Sequence, residues 1–323
     1  MGEQQEWLVN YSKELLQTEH YDYLVFGHRH LPLDVRLNEN SRYINLGEWL
    51  NFNSYAVMEE GEVECGAATW SLRKSTAIGE ALLTHLSCTG MVCPENAEAI
   101  RRIKGEIRTF PRHKVILSPG DIPRFGVIVL KGFLYRYAIS KKGARLIHSL
   151  CMPTDSPGLE ALHLDYVDDS LAPLVSSVVG LVPYANVFRL LENRPGVAAL
   201  IERAAVLQGS IYRQWLMRNS TQPAHSSMAH LFCETYVRAN AAGLVSKGSC
   251  DLPVTQENLG ESLGLTAVHV NRTLQLLRRL GLVDLKLGRL YIHDYDELSR
   301  VAEFNPHYLH LKGGARLRCQ QRT

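Results

Sequence analysis

Apolar and polar residues change rhythm several times along the chain, and each change marks a predicted element. Trp7, Leu8, Tyr11, Leu15 and Leu16 recur at the spacing of a short amphipathic helix. Compact β-favouring runs follow at 23–26, 42–46 and 54–58, set around the turn residues Asn38-Glu39-Asn40 and Glu59-Glu60-Gly61. Residues 78–86 and 94–107 return to helical spacing. From Thr109 to about Arg189 come short β runs at 114–117, 125–130, 133–139, 146–150 and 178–183. They are broken by Pro119-Gly120-Asp121, Lys131-Gly132 and Lys141-Lys142-Gly143, and together they predict a small β-barrel or jelly roll. Val197, Leu200, Ile201, Ala204, Leu207, Ile211 and Trp215 then keep helical steps, predicting a long helix with one apolar stripe. Such a stripe packs on its own domain or pairs with a twin along a coiled-coil-like seam, and pairing is the expectation taken here.

The segment from Val254 to Asp294 carries the strongest local signal. Thr255 can cap a first helix whose Leu259 and Leu263 face inward, Gly264 permits a tight turn, and Thr266 can cap a second helix. In that second helix, about Thr266 to Leu280, Val270, Leu274 and Leu277 form a buried row. Ala267, Val268, His269, Asn271, Arg272 and Gln275 are left directed outward. Outward Asn, Arg, Gln and His can pair with base edges or phosphates in a major groove. Runs at 282–285 and 290–293, separated by Lys286-Leu287-Gly288-Arg289, read as a two-stranded wing whose Lys286 and Arg289 would meet phosphate. This is a helix-turn-helix pattern with a wing.

Composition narrows the class. A chain of 323 residues suggests two or three domains. Hydrophobic content of 46% and charged content of 21% describe a soluble globular protein with no membrane span, and the start Met1-Gly2-Glu3-Gln4-Gln5-Glu6 lacks the pattern of a secretory signal, so a cytoplasmic location is expected. Seven cysteines at irregular spacing argue for reduced thiols rather than a disulfide framework. The net charge of +2 conceals an asymmetry. Residues 1–64 hold twelve acids against four Lys and Arg, a net of −8, which leaves 21 acids and 31 basic residues, +10, in the rest. An acidic appendage thus precedes a body suited to a polyanion.

In the appendage, His28 and His30 sit on a loop after a strand, with one residue between them, and could both reach one metal. The stretch YDYLVFGHRHLPLDVRLNENSRYINLGEWLNFNSYAVMEEGEVE resembles the C-terminal end of calcineurin-like metallophosphatases, in particular the UDP-2,3-diacylglucosamine pyrophosphatases of lipid A synthesis. The resemblance implies that His28 and His30 match that family's last metal-binding motif. Its dinuclear centre also draws ligands from Asp-x-His, Gly-Asp and Gly-Asn-His motifs, and none precedes Tyr21. Two-metal hydrolysis needs a complete ligand set. A vestigial fragment without phosphatase activity is therefore expected, against the competing reading of a metal-dependent phosphoesterase or pyrophosphatase.

The β region, the long helix and the winged segment together resemble the Crp/Fnr family of bacterial regulators over residues 78–312, most specifically in LGLTAVHVNRTLQLLRRLGLV. The resemblance implies that Arg272 is the base-reading arginine and that Thr266 and His269 touch phosphate. Ala267 and Val268 depart from the best-known members, which place a second Arg and a Glu there, and Val268 could contact a thymine methyl instead. Cyclic nucleotide binders of this family hold the ligand phosphate with a Gly-Glu pair and a following Arg. Here Gly158 and Glu160 are kept, but no Lys or Arg occurs from Ala161 through Phe188, so cyclic AMP is not the expected effector. Cys88 and Cys93 fit the cysteine pattern of the iron-sulfur members poorly, and no cofactor is expected.

The expected fold is therefore α+β. A metallophosphatase fragment at 1–64 and a linker at 65–77 precede a β-barrel or jelly-roll sensor of cyclic-nucleotide-binding type at 78–195. A dimerisation helix at 196–219, a C-terminal winged helix-turn-helix at 220–312 and a basic, disordered tail at 313–323 follow. The expected function is sequence-specific DNA binding as a homodimer, with double-stranded DNA as partner and, by the resemblance, RNA polymerase as a second. The chain is not expected to be an enzyme.

Overall fold

The computed structural model describes residues 7–26, 33–45, 54–59, 62–67 and 76–311. The chain forms two compact units, Met1–Leu72 and Arg73–Thr323.

In the first unit, helix α1 (Trp7–Leu15) is followed by strands β1 (Tyr23–Phe26), β2 (Leu33–Arg36) and β3 (Arg42–Asn45). β3 lies centrally, parallel to β1 and antiparallel to β2, and buries Tyr43 and Ile44. A hairpin of β4 (Ser54–Glu59) and β5 (Glu62–Ala67) completes the unit, so β5 extends past Glu64 into the stretch expected as linker. His28 and His30 lie outside the described residues, as does the tail at 313–323.

The second unit opens with helices α2 (Thr76–Thr89) and α3 (Pro94–Arg101). Helical spacing through 107 overran: α3 ends at Arg101, and Glu106–Phe110 is strand β6, in which only Ile107 and Phe110 are partly buried. Strands β7 (Phe125–Lys131), β8 (Leu134–Ile139), β9 (Arg145–Cys151), β10 (Ser170–Pro173) and β11 (Ser177–Pro183) build two three-stranded sheets, ordered β10-β8-β9 and β6-β11-β7. Among the described residues these sheets do not close into a barrel. Residues 114–117 add one isolated bridge, Leu117 to Leu171, rather than the expected strand. Val127, Val129, Val179 and Leu181 fill the space between sheets with Leu117, Leu134 and Leu171.

After α4 (Tyr184–Asn193), the long helix α5 runs over Pro195–Thr221. Its stripe Val197, Leu200, Ile201, Leu207, Ile211 and Trp215 is buried within its own protomer. This corrects the expectation that these residues form the pairing seam: the N-terminal half packs on α2 and α4, and the C-terminal half on β9 and the next helix. A second, solvent-facing row remains. Ala199, Glu202, Val206, Gly209, Arg213, Leu216 and Ser220 alternate in steps of three and four, and Val206 and Leu216 are 70% and 71% exposed.

The head follows as α6 (Ala224–Ala241), β12 (Ser249–Asp251), α7 (Gln256–Leu263), α8 (Ala267–Arg279), β13 (Val283–Lys286), β14 (Arg289–Ile292) and α9 (Tyr295–Val301), ending in a 3-10 turn at Pro306–Leu309. The wing is three-stranded, because β12 pairs with β14 on the side opposite β13. Head and β region are continuous inside. Phe133, Tyr135, Tyr137 and Ile147 of the β10-β8-β9 sheet belong to one buried cluster with Trp215, Phe232, Leu259, Val270 and Leu274. At its edge, Arg145 of β9 donates from Nε to Glu261 of α7 at 2.9 Å and lies over the rings of Tyr135 and Tyr137.

Candidate nucleic-acid interface

Two local devices set the reading helix. Thr255 caps α7 reciprocally: its side chain accepts from the Asn258 backbone N–H at 3.1 Å, while the Asn258 carboxamide oxygen accepts from the Thr255 backbone N–H at 3.1 Å. Thr266 caps α8 by accepting from the His269 N–H at 3.3 Å. Between them the chain must turn sharply. Gly264 takes a positive φ of 67° at the end of α7, and Gly260 brings α7 so close to the turn that a Cβ there would stand 2.6 Å from the Leu265 carbonyl oxygen.

The apolar row Val270, Leu274 and Leu277 of α8, joined by Thr273, is buried against α6 and α7. On the opposite face Ala267, Val268, His269, Asn271, Arg272 and Gln275 are all exposed. Arg272 has no ion-pair or hydrogen-bond partner among the described residues, whereas the Asn271 amide reaches Gln256 at 3.4 Å. The far end of α8 is fixed to the wing: Arg278 donates to the Leu285 carbonyl at 2.8 Å and its Nε lies 3.4 Å from Asp284. The wing cations differ from each other. Lys286 is an exposed residue resting 2.9 Å from Asp284, but Arg289 is held in the sheet by Asp251 at 2.7 Å and Ser249 at 3.1 Å. The α8 face thus offers a helix N-terminus, the unengaged guanidinium groups of Arg272 and, two turns on, Arg279, and several amide or imidazole groups, a set suited to phosphate and base edges.

Residues 227–301 match the profile of the Crp-like helix-turn-helix domain. A probable transcriptional activator of Rhizobium leguminosarum bv. viciae is 21% identical over 231 residues, 68% of this chain and 94% of that protein. The body of this chain is similar to Crp/Fnr regulators over most of its length. It is a DNA-binding transcriptional regulator, and its α+β fold agrees with the structure of FixK2 from Bradyrhizobium japonicum, at a TM-score of 0.55 and 17% identity over 62% of this chain and 98% of that one. The UDP-2,3-diacylglucosamine hydrolase of Porphyromonas gingivalis is 42% identical over 55 residues, 17% of this chain, and the chain spans 21% of that protein's length. Among the described residues no helix is long and apolar enough to cross a membrane, and no cluster of His, Cys, Asp and Glu could hold a metal ion.

The β region holds a cation that spacing along the sequence does not reveal. Arg136, on β8, projects to the Glu160 region and lines a cavity of about 100 Å³ with Cys151, Glu160, Gln208 and Arg238. It is fully engaged by acids: Nε and Nη2 donate to the two Asp169 oxygens at 2.7 and 2.8 Å, Nη1 pairs with Glu160, and His148 contacts Asp169 at 3.1 Å. Burial acts to raise the Asp169 carboxyl, but hydrogen bonds from His148 and Arg136 outweigh it and hold the group below its ordinary value.

A second buried group links the long helix to the head. Glu234 of α6 accepts the Trp215 indole N–H at 3.0 and 3.1 Å and the Tyr308 hydroxyl at 2.6 Å, with Arg238 Nη1 at 3.5 Å. Beside it, burial pushes the His230 imidazole down to about 4. The unfolded chain binds a proton at this histidine near pH 6.5 and the folded one only near 4, so His230 contributes stability that is full above 6.5 and lost as pH falls through 4. The expected size is on the order of 3 kcal/mol. Melting temperature should drop between pH 6.5 and 4, and a folded His230→Phe variant should show a shallower drop in that window. An unchanged profile would remove His230 as the cause.

Proposed function

We propose that the regulator binds DNA as a homodimer with α8 in the major groove, Arg272 reading a base and Thr266 and His269 at phosphate. The carrying observation is Arg272 itself, exposed on the outer face of α8 and unengaged while the neighbouring arginines 278 and 289 are tied down. Thr266 uses one oxygen lone pair on the helix cap, and its hydroxyl hydrogen stays free to donate to a phosphate oxygen. Ala267, Val268, Asn271 and Gln275 complete the base-facing surface, with Val268 suited to a thymine methyl. Thr255 and Lys286 lie where the flanking backbone would pass, and Arg289 would act there only by leaving Asp251.

The exposed row from Ala199 to Ser220 supports pairing of two α5 helices, which would set the two α8 helices ~34 Å apart on successive major grooves. The sensor's effector is not a cyclic nucleotide in this reading, because Arg136 is already neutralised by two carboxylates and a ligand phosphate would have to displace them. RNA polymerase is the second partner by family likeness, the location is cytoplasmic, and the chain carries out no catalysis, with His28 and His30 as remnants of a metal motif.

Selection of bound sequences from a random DNA pool tests the reading, with Arg272→Ala as the variant. The substitution should remove about 1 to 3 kcal/mol of preference for one base pair per half-site. Unchanged specificity would refute the role of Arg272, and single unpaired half-sites would refute the dimer.

A further inference from the structure

We propose that the cavity at the C-terminal end of α5 binds the oxyanion group, carboxylate or phosphate, of a small ligand, with Arg218 as its principal contact. Arg218 is 1% exposed, and its Nη1 and Nη2 have no hydrogen-bond partner among the described residues. Only Nε is used, donating to Asn219 at 3.1 Å. The guanidinium lies over the Trp215 ring, 4.4 Å from its centroid. The nearby Glu234 attracts Arg218 through space but makes no hydrogen bond or ion pair with it: it takes its bonds from Trp215 and Tyr308, and its nearest cation is Arg238. His230 presents a second buried nitrogen, Nδ1, that is also without a partner.

Arg218 and His230 line a common cavity of about 280 Å³, walled further by Gln222, Met217 and Tyr308. A buried donor left unmade costs about 1 to 3 kcal/mol, and more when it is charged. The terminal nitrogens of a guanidinium form a flat fork that matches two oxygens of a carboxylate or phosphate. In the tautomer with its proton on Nδ1, the neutral His230 ring would donate a third bond without adding charge. Gln222 has an unpartnered amide oxygen, able to accept from a hydroxyl or amine elsewhere on the ligand.

The site lies where α5 hands over to the head. α5 ends at Thr221, Gln222-Pro223 leads into α6, and the 3-10 turn at Pro306–Leu309 supplies another wall. A ligand held there would bridge the long helix to both ends of the head. Its existence is independent of how α8 reads DNA.

The test uses Trp215 as reporter. In the full chain with Trp7, Trp49 and Trp70 replaced by Phe, Trp215 is the sole indole. Inorganic phosphate and acetate are titrated separately, against sodium chloride at matched ionic strength. The expected result is a saturable change in Trp215 emission with phosphate, acetate or both, and none with chloride. Which anion saturates tells phosphate from carboxylate. Arg218→Met should abolish the response, and Arg218→Lys, which keeps the charge and loses the fork, should weaken it by about tenfold or more. If Arg218→Met does not fold, Arg218→Lys decides. A response that follows ionic strength alone, or an affinity unchanged in Arg218→Lys, would overturn the site.

Discussion

Replacing Glu234 by alanine is expected to cost the regulator about 3 to 5 kcal/mol of stability, the penalty for removing one side of a buried charge cluster. The residue is 1% exposed, and its carboxylate is the shared acceptor for the Trp215 indole and the Tyr308 hydroxyl. Without it those donors are orphaned, and Arg218 and Arg238 lose the nearest compensating charge of α6. The desolvation of two guanidinium groups then goes unopposed except by Asp155, 2.7 Å from Arg238. In a body of this size the melting temperature should fall by roughly 10 °C. Glu234→Gln, which retains one acceptor oxygen, should fall less. A loss below about 1 kcal/mol in Glu234→Ala would mean that the cluster is wetter than its burial indicates.

The second large effect is expected at the outer row of α5. Val206→Glu with Leu216→Glu should convert the regulator to a monomer and reduce affinity for a two-half-site operator by about 10² to 10⁴, the gain that linking two binding modules confers. Both residues are mostly exposed in the protomer, so the substitutions remove no buried contact and should leave the melting of the single chain nearly unchanged. In a paired seam, however, four carboxylates would face one another across an apolar interface. Sedimentation at micromolar concentration and operator binding together check this. A variant that remains dimeric would place the seam elsewhere.

Periodicity made the helix-turn-helix legible because its determinants are local. The caps at Thr255 and Thr266, the turn at Gly264 and the row Val270, Leu274, Leu277 lie within a few residues of what they organise. The same locality misled at α5. Both of its rows keep helical spacing, and hydrophobicity marks the one that is buried, whichever surface covers it; the covering surface is the protomer's own sheets and helices. Likewise β12 is only three residues long and joins the wing through β14, forty positions away. Arg136 escaped notice because its partner Asp169 stands 33 residues further on, in the bend that leads into β10. The absence of a cation between Ala161 and Phe188 is true of the sequence, yet it did not exclude one arriving from β8. Gly260 carries no turn signal either, sitting inside a helix, and its role follows only from the 2.6 Å approach of a neighbouring carbonyl.

The unbroken apolar interior that joins the β10-β8-β9 sheet to the head, with Arg145 and Glu261 at its border, has a dynamic consequence. If elements that share one interior open together, backbone amides of β8 and of α7 are expected to exchange as a single cooperative unit. A unit of that kind would carry the reading helix together with the sheet rather than leave it a separate module swinging on a tether.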